Sequence, residues 1–245
     1  MKKNSSHKKD NTGLIIGVIF GSLMIVVALI IIIGGIVQNN LPDERYDPVY
    51  RRYCLPDGSG CATVDKPMIY LYPEEDIDVI VKLGEPEKIT TSYPKYNDGW
   101  RVFAQKDGTL VDKNTGRTLY GLYWEGANFP AVQSEEGFVV KGSESATFLE
   151  EKLAILGLNE RESEEFIVYW LPKLEANNYN YIHFETNELI DEYMPINVSP
   201  KPDSVVRIAM SFKGLDEPIK VTEQELVTPV REGFTLVEWG GSEIK

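Results

Sequence analysis

Cysteine and histidine are scarce in this sequence of 245 residues, with two of each. So few cysteines exclude a disulfide-dense mini-protein. Zinc usually takes four ligands, and Cys54, Cys61 and His183 are too few in the larger, C-terminal part of the chain to supply them. The sequence therefore predicts no metal site.

The motifs of several enzyme classes are also missing. The sequence contains no G-x-S-x-G, no P-loop and no G-x-G-x-x-G, which gives no support to a serine hydrolase or a nucleotide-binding site, and we expect no cofactor. His183 follows Tyr181 and Ile182, a setting more typical of a strand histidine than of a catalyst. Asp112-Lys-Asn114-Thr-Gly116 lacks the spacing and the terminal acid of a calcium loop, and a hairpin turn is the better interpretation.

Basic residues are outnumbered, 25 to 38, which gives a formal net charge of −13. The charge is uneven, because residues 1–37 carry four lysines and one aspartate, and the rest of the chain carries 21 basic and 37 acidic residues. The larger part is therefore strongly acidic, at −16, which argues against nucleic acid as a partner.

One long apolar run is present, at residues 13–37, and no second one follows, which excludes a multi-span transporter. A helix of this length reaches roughly 37 Å and can cross a hydrocarbon core of about 30 Å. The lysines precede the run, so the positive-inside rule predicts a cytoplasmic tail at residues 1–12 and a large domain outside the cell membrane. The lipid bilayer is the expected partner of this single-pass anchor.

A cleavable signal peptide is the alternative to this anchor. Its apolar region would be shorter, and a small-x-small cleavage site would follow, which this chain lacks. Within the run, Gly13, Gly17 and Gly21 repeat every four residues, a spacing that favours close packing with a second copy or a partner transmembrane helix. The competing interpretation is that glycine is simply common in membrane helices.

Residues 38–65 are predicted to form a stalk, since they are rich in proline and charge and lack apolar periodicity. Cys54 and Cys61 bracket a Pro-Asp-Gly turn there, and we expect a disulfide between them in an extracytoplasmic setting. A closed loop of this size is worth roughly 2–3 kcal/mol in the chain-entropy model.

Residues 66–245 are predicted to form one extracytoplasmic α+β domain, antiparallel and β-rich, as a small sandwich or a curled sheet around a central helical pair. Ser143 or Ser145 is expected to cap the first helix and Asn159 the second, which meets Pro172. Residues 196–199 and 205–212 flank a Pro-Lys-Pro-Asp stretch that predicts a hairpin.

Five stretches of this domain resemble a family of uncharacterised bacterial membrane-anchored proteins, with a KPxIYLYP opening and a GFTxVEWGG close. They cover most of residues 66–241: Lys66-Pro-Met-Ile-Tyr-Leu-Tyr-Pro73, Tyr93-Pro-Lys-Tyr-Asn-Asp-Gly-Trp100, Tyr123-Trp-Glu-Gly126, Phe166-Ile-Val-Tyr-Trp-Leu-Pro172 and Gly233-Phe-Thr-Leu-Val-Glu-Trp-Gly-Gly241. The resemblance implies one continuous domain, and it brings no catalytic residue.

Tryptophans next to acids are the most suggestive candidates for a site. Trp100, Trp124 and Trp239 are candidate binding residues, since aromatic rings provide binding surfaces, and the domain is expected to be a non-catalytic module that binds a protein or a wall glycan. The alternative is a cell-envelope glycan hydrolase, in which Glu125 and Glu238 act as paired carboxylates. Against it, tryptophan is ordinarily a core residue.

Overall fold

The computed structural model describes residues 61–130 and 134–244, which all lie within one unit of the chain, residues 47–245. The helices of this part are α1 (Ser145–Ile155), α2 (Glu160–Glu175) and α3 (Asn187–Tyr193). The strands are β1 (Cys61–Tyr72), β2 (Ile77–Leu83), β3 (Ile89–Tyr93), β4 (Trp100–Ala104), β5 (Leu110–Asp112), β6 (Thr118–Leu119), β7 (Leu122–Pro130), β8 (Glu136–Lys141), β9 (Tyr179–Thr186), β10 (Ile196–Ser199), β11 (Ser204–Leu215), β12 (Thr222–Glu223) and β13 (Thr235–Glu243).

The strands form two sheets. The large sheet has the order β12-β8-β9-β11-β13-β1-β7-β3, and the small sheet has the order β10-β2-β4-β5-β6. Neighbouring strands are antiparallel except β11 with β13 and β12 with β8. The expected β-rich α+β class with antiparallel sheets is confirmed.

Side chains on one face of the large sheet pack against α1 and α2. Met68 and Tyr70 of β1 and Trp239 of β13 belong to this helix-side core. From the helices it receives Leu149, Leu153, Phe166, Trp170 and Leu174, all of them fully buried. Their spacing of three or four residues is what places them on one side of each helix.

The other face of the large sheet packs against the small sheet. Ile69 and Leu71, which alternate with the helix-facing residues of β1, enter this second core. The small sheet contributes Val79, Val81, Leu83, Trp100, Val102, Ala104 and Leu110. The domain therefore has three layers, and its central strands are apolar on both faces because both faces are covered.

The two helix caps turned out differently. Asn159 is the N-cap of α2 as predicted, in a capping box in which its side chain and that of Glu162 each accept a backbone N–H of the other residue. The predicted serine cap of α1 is wrong: Glu144 precedes the helix with no side-chain cap, and the Ser145 hydroxyl donates to the Lys141 carbonyl. Helix α2 continues through Pro172 to its end at Glu175.

The predicted hairpin at residues 196–212 is also wrong. β10 pairs with β2 in the small sheet, whereas β11 lies between β9 and β13 in the large sheet. The Pro-rich stretch therefore links two layers rather than two paired strands. Strand β1 begins at Cys61, within the stretch predicted as a stalk, and it pairs with β7 from that residue onwards.

No helix within the described residues is long and apolar enough to cross a membrane. The predicted cytoplasmic tail, the transmembrane helix at residues 13–37 with its three glycines, and most of the predicted stalk lie outside the described residues.

Candidate functional site

An irregularity in β1 creates the floor of the candidate site. The pairing of β1 with β13 shifts register between Asp65 and Met68, and Lys66 within this bulge has φ of 58°, an uncommon conformation for a residue with a side chain. Its ammonium group lies 5.8 Å from the ring centre of Tyr123 and 5.6 Å from that of Tyr169. Backbone strain of this kind concentrates at functional sites, which directs attention to the surface beside Lys66.

Four tyrosines line a cavity of about 550 Å³ at this point: Tyr93, Tyr120, Tyr123 and Tyr169. They come from the end of β3, the turn between β6 and β7, β7 itself and α2, so the cavity lies where both sheets and a helix meet. Tyr93 is 50% exposed and Tyr120 is 45% exposed. We call this cavity, together with its extension along α2, the tyrosine groove.

The extension is a second cavity of about 470 Å³ that shares Lys66, Tyr120 and Tyr169 with the first. The Arg161 guanidinium lies 4.6 Å from the centre of the Tyr120 ring, within the range of a cation–π contact. Arg161 also pairs with Glu165, which lines the same cavity. The groove therefore combines exposed aromatic rings with charges of both signs.

A chain of hydrogen bonds connects the groove to the helix-side core. Trp239 Nε1 donates to the Tyr70 hydroxyl at 3.1 Å, and that hydroxyl donates to Glu165 at 2.8 Å. Glu165 in turn accepts from Arg161 Nε at 3.1 Å. Because Trp239 and Tyr70 are buried, this chain holds Arg161 over the ring of Tyr120.

Two of the groove tyrosines, Tyr120 and Tyr123, are held in their neutral form. Burial raises the pKa of Tyr123 above its usual range, and its hydrogen bond to Glu125 raises it further. Burial also raises the pKa of Tyr120, with the negative charge of Glu165 adding to the effect. The phenols of both residues therefore remain O–H groups, which can donate as well as accept hydrogen bonds.

Gly121 lets the chain pass close to β1 beneath the groove. A Cβ at this position would lie 2.9 Å from Met68 Cε and 3.1 Å from the Ile69 carbonyl oxygen, both too close for ordinary contact. A side chain here would crowd the backbone of β1 at Ile69, so glycine allows the turn between β6 and β7 to lie close to β1 beneath the groove.

The three candidate tryptophans do not line any surface. Trp239 lies in the helix-side core, Trp100 and Trp124 lie between the two sheets, and the three are 0%, 1% and 2% exposed. Their hydrogen bonds are satisfied inside the domain, as for Trp100, whose Nε1 donates to the Pro94 carbonyl. They therefore stabilise the two cores, and they offer no ring face to a ligand.

The two candidate carboxylates are not brought together. Glu125 lines the tyrosine groove, next to Tyr123 on β7. Glu238 is buried on the opposite face of the large sheet, where it accepts from Trp124 Nε1 at 2.9 Å. Since Trp124 and Glu125 are neighbours in one strand, their side chains point to opposite faces. The arrangement lacks the facing pair that glycoside hydrolysis requires.

Glu238 belongs instead to a buried charged network. Arg207 Nε donates to it at 2.7 Å, and another guanidinium nitrogen of Arg207 lies 2.6 Å from the same carboxylate oxygen. Arg207 also pairs with Asp191 of α3, which is half-exposed. Both carboxylates hold the guanidinium, so that the ion pair fixes α3 against the large sheet.

His183 lies on the same face, beside a polar cleft of about 650 Å³ whose lining includes Glu185 and Arg207. Burial lowers the pKa of His183 to about 4, opposed by a hydrogen bond to the Glu136 carbonyl at 3.1 Å. A carbonyl only accepts, so Nδ1 carries the proton, and the ring is a neutral structural group at pH 7. Residues 61–130 and 134–244 contain no cluster of three or more ligating side chains placed to hold a metal ion.

Only one of the two cysteines, Cys61, lies within the described residues. Cys61 starts β1, and its sulfur is not a free thiol, whereas Cys54 lies outside the described residues. The disulfide between them therefore stays a prediction.

The tyrosine groove was missed from the sequence. Tyr120 and Tyr123 lie in a Tyr-Gly-Leu-Tyr stretch that looks like one continuous strand. In the structure a turn separates β6 from β7 within this stretch, and the sequence gives no sign that the two rings lie outside the core. Tyr169 neighbours Trp170 on α2, and the two rings are in edge-to-face contact, but only Trp170 is fully buried. The one available signal was the Lys66-Pro67 pair directly before the apolar run at residues 68–72, since proline interrupts strand pairing.

The comparisons with known proteins give little to transfer. No family model matches the sequence. A Butyrivibrio fibrisolvens protein named "Uncharacterized protein in bglA 3'region" is 39% identical over 64 residues, which are 25% of this chain and 65% of the relative. The chain thus covers just under two thirds of that relative's length, and its printed name states no activity. No solved structure matches.

Proposed function

We propose that this protein is a membrane-anchored, non-catalytic binding module, and that its tyrosine groove binds a ligand outside the cell. Residues 13–37 would span the lipid bilayer once and leave the α+β domain on the extracytoplasmic side. The spacing of Gly13, Gly17 and Gly21 would allow a second copy or a partner helix to pack against the span.

One observation supports the binding function above the others. Two large aromatic side chains, Tyr93 and Tyr120, are about half exposed on the wall of a cavity with ordered polar groups beside them. Ligand sites combine an apolar, aromatic lining with a few fixed polar groups, and their volumes run from about 300 to 1,000 Å³. The groove has both features, whereas the carboxylates that would favour a hydrolase lie on opposite faces of the large sheet.

Tyrosine nitration in intact cells tests this function without knowledge of the ligand. Cells that produce the full chain are treated with tetranitromethane, and the purified full chain in detergent micelles is treated in parallel. Nitration of each tyrosine is then quantified by mass spectrometry. We expect Tyr93 and Tyr120 to be nitrated several-fold less in cells, because the ligand covers them there.

Tyr179 is the internal control, since it is partly exposed at the start of β9 and lines neither part of the groove. Its nitration should be the same in cells and in micelles. Equal nitration of Tyr93 and Tyr120 in both preparations would show that no ligand occupies the groove and would refute the proposal.

A further inference from the structure

We infer that the ligand of the tyrosine groove is a neutral glycan of more than one sugar unit. This inference rests on the proposed binding function, and it names the ligand class by the chemistry of the groove walls.

The first argument is the balance of charge. Lys66 and Arg161 face the groove together with the three acids Glu125, Glu164 and Glu165, which leaves a net of one negative charge. Arg161 and Glu165 already neutralise each other at 3.1 Å. A groove for an ionic ligand would carry an excess of the opposite charge, because complementary potential drives such recognition. The walls of this groove have no excess of positive charge, which disfavours an anionic ligand, and their surplus of negative charge is a single carboxylate, so the balance of charge favours an uncharged ligand.

The second argument is the kind of polar group. A carboxylate only accepts hydrogen bonds, whereas an ammonium or guanidinium group only donates them. A ligand that satisfies Glu125 and Lys66 at once must present groups that both donate and accept. Sugar hydroxyls do both, and their hydrogen bonds to charged side chains are the stronger, charge-assisted kind.

The same argument separates a glycan from a proline-rich peptide, which also binds in aromatic grooves. Such a peptide presents mainly carbonyl oxygens, which accept and do not donate. Opposite Glu125 and Glu164, these carbonyls would leave carboxylate and carbonyl oxygens facing each other without a proton between them. The acids in the walls therefore disfavour this ligand.

The third argument is the shape of the aromatic surface. A pyranose ring has an apolar C–H face and a rim of hydroxyls, and a tyrosine likewise has an apolar ring face and a polar edge. Tyr120 and Tyr169 line both cavities, so that the groove continues from the first cavity into the second. This continuity fits a chain of linked sugars better than a single one.

Calorimetric titration of the full chain in detergent micelles tests the ligand class. The neutral probes are cellotetraose, xylotetraose, maltotetraose and tetra-N-acetylchitotetraose. An oligogalacturonate serves as the anionic probe and a proline decapeptide as the peptide probe. We expect saturable binding of at least one neutral oligosaccharide, and weaker or no binding of the other two kinds.

Variants then locate the binding. Tyr120→Ala should weaken the affinity about 10-fold through loss of a stacking surface, whereas Tyr120→Phe keeps the ring and should stay within a few-fold of the wild type. Tyr179→Ala, outside the groove, should leave the affinity unchanged. Tyr120 is half exposed, so its substitution is expected to leave folding intact, and a thermal melt of each variant checks this.

Three results would overturn the glycan inference. They are preferential binding of the oligogalacturonate or the peptide, oligosaccharide binding that Tyr120→Ala leaves unchanged, and the failure of every neutral probe to bind. If one of these occurs while Tyr93 and Tyr120 are still protected in cells, the binding function survives and only the ligand class is wrong. If that protection is also absent, both proposals fail.

Discussion

At the scale of single residues, the sequence does not show which aromatic and charged side chains are buried in the core and which are exposed at the surface. Trp124 next to Glu125, and Glu238 next to Trp239, suggested candidates for a binding or catalytic site. In the structure Trp124 donates a hydrogen bond to Glu238, and both are buried. The contact that makes them structural joins two strands 114 residues apart in sequence, and adjacency in sequence carries no information about it.

Arg207→Met is expected to destabilise the domain strongly. The substitution removes the cation but leaves the Glu238 carboxylate buried, and breaking a buried ion pair on one side costs about 3–5 kcal/mol. Chemical denaturation of the full chain in micelles measures this loss of unfolding free energy. The double variant Arg207→Met with Glu238→Gln should recover part of it. A single variant as stable as the wild type would mean that the buried pair of Arg207 and Glu238 does not stabilise the domain.

His183 is expected to make the domain less stable as the pH falls below about 6.5. Burial lowers its pKa from 6.5 to about 4 in the folded state, so the unfolded chain binds a proton in this range and the folded chain does not. Stability is thus fully present above pH 6.5 and decreases towards pH 4, by about 3 kcal/mol at most.

The control for this pH dependence is His183→Asn, which keeps a donor for the Glu136 carbonyl but has no titrating ring. Subtracting the unfolding free energy of the variant from that of the wild type at each pH isolates the contribution of His183, because the carboxylates that also titrate in this range are common to both proteins. The difference should fall between pH 7 and pH 4, and a difference that stays constant with pH would contradict a neutral, buried His183.

At the scale of elements, the sequence predicted those helices and strands that depend on interactions between residues close in sequence. Alternating apolar residues identified β2, and Asn159 identified the start of α2, because pairing of a cap with its own helix involves neighbours in sequence. The hairpin at residues 196–212 failed because β10 and β11 find their partners in different sheets. Helix α3 was also missed, since it is short and is held by the Arg207–Asp191 pair.

Asn159→Ala is expected to lower the free energy of unfolding by about 1 kcal/mol, because the variant loses the side-chain cap of α2. Glu162, which completes the capping box, also pairs with Arg231 at 2.8 Å, so the cap ties α2 to the segment before β13. Denaturation of Asn159→Ala and of Asn159→Asp measures the effect. Aspartate is a comparable cap and should retain most of the stability, and equal loss in both variants would rule out capping as the cause.

At the scale of the whole molecule, the three-layer arrangement gives the tyrosine groove its position. The groove lies where β1, β6, β7 and α2 meet, and these elements come from both sheets and from the helical layer. Composition and periodicity indicated an α+β domain, but the splitting of its strands into two sheets depends on pairings between distant segments. The site could not be located until those pairings were known.

The most direct test of a ligand in the tyrosine groove is an NMR spectrum of the full chain in micelles, with ¹³C-labelled tyrosine rings. Soluble fragments released from the envelope of the producing cells are added, and the shift of each ring is followed. Binding in the groove predicts that the four groove tyrosines shift together while Tyr181, next to the polar cleft, does not. Shifts centred on Tyr181 and Tyr193, or no shift at saturating amounts of the fragments, would contradict it.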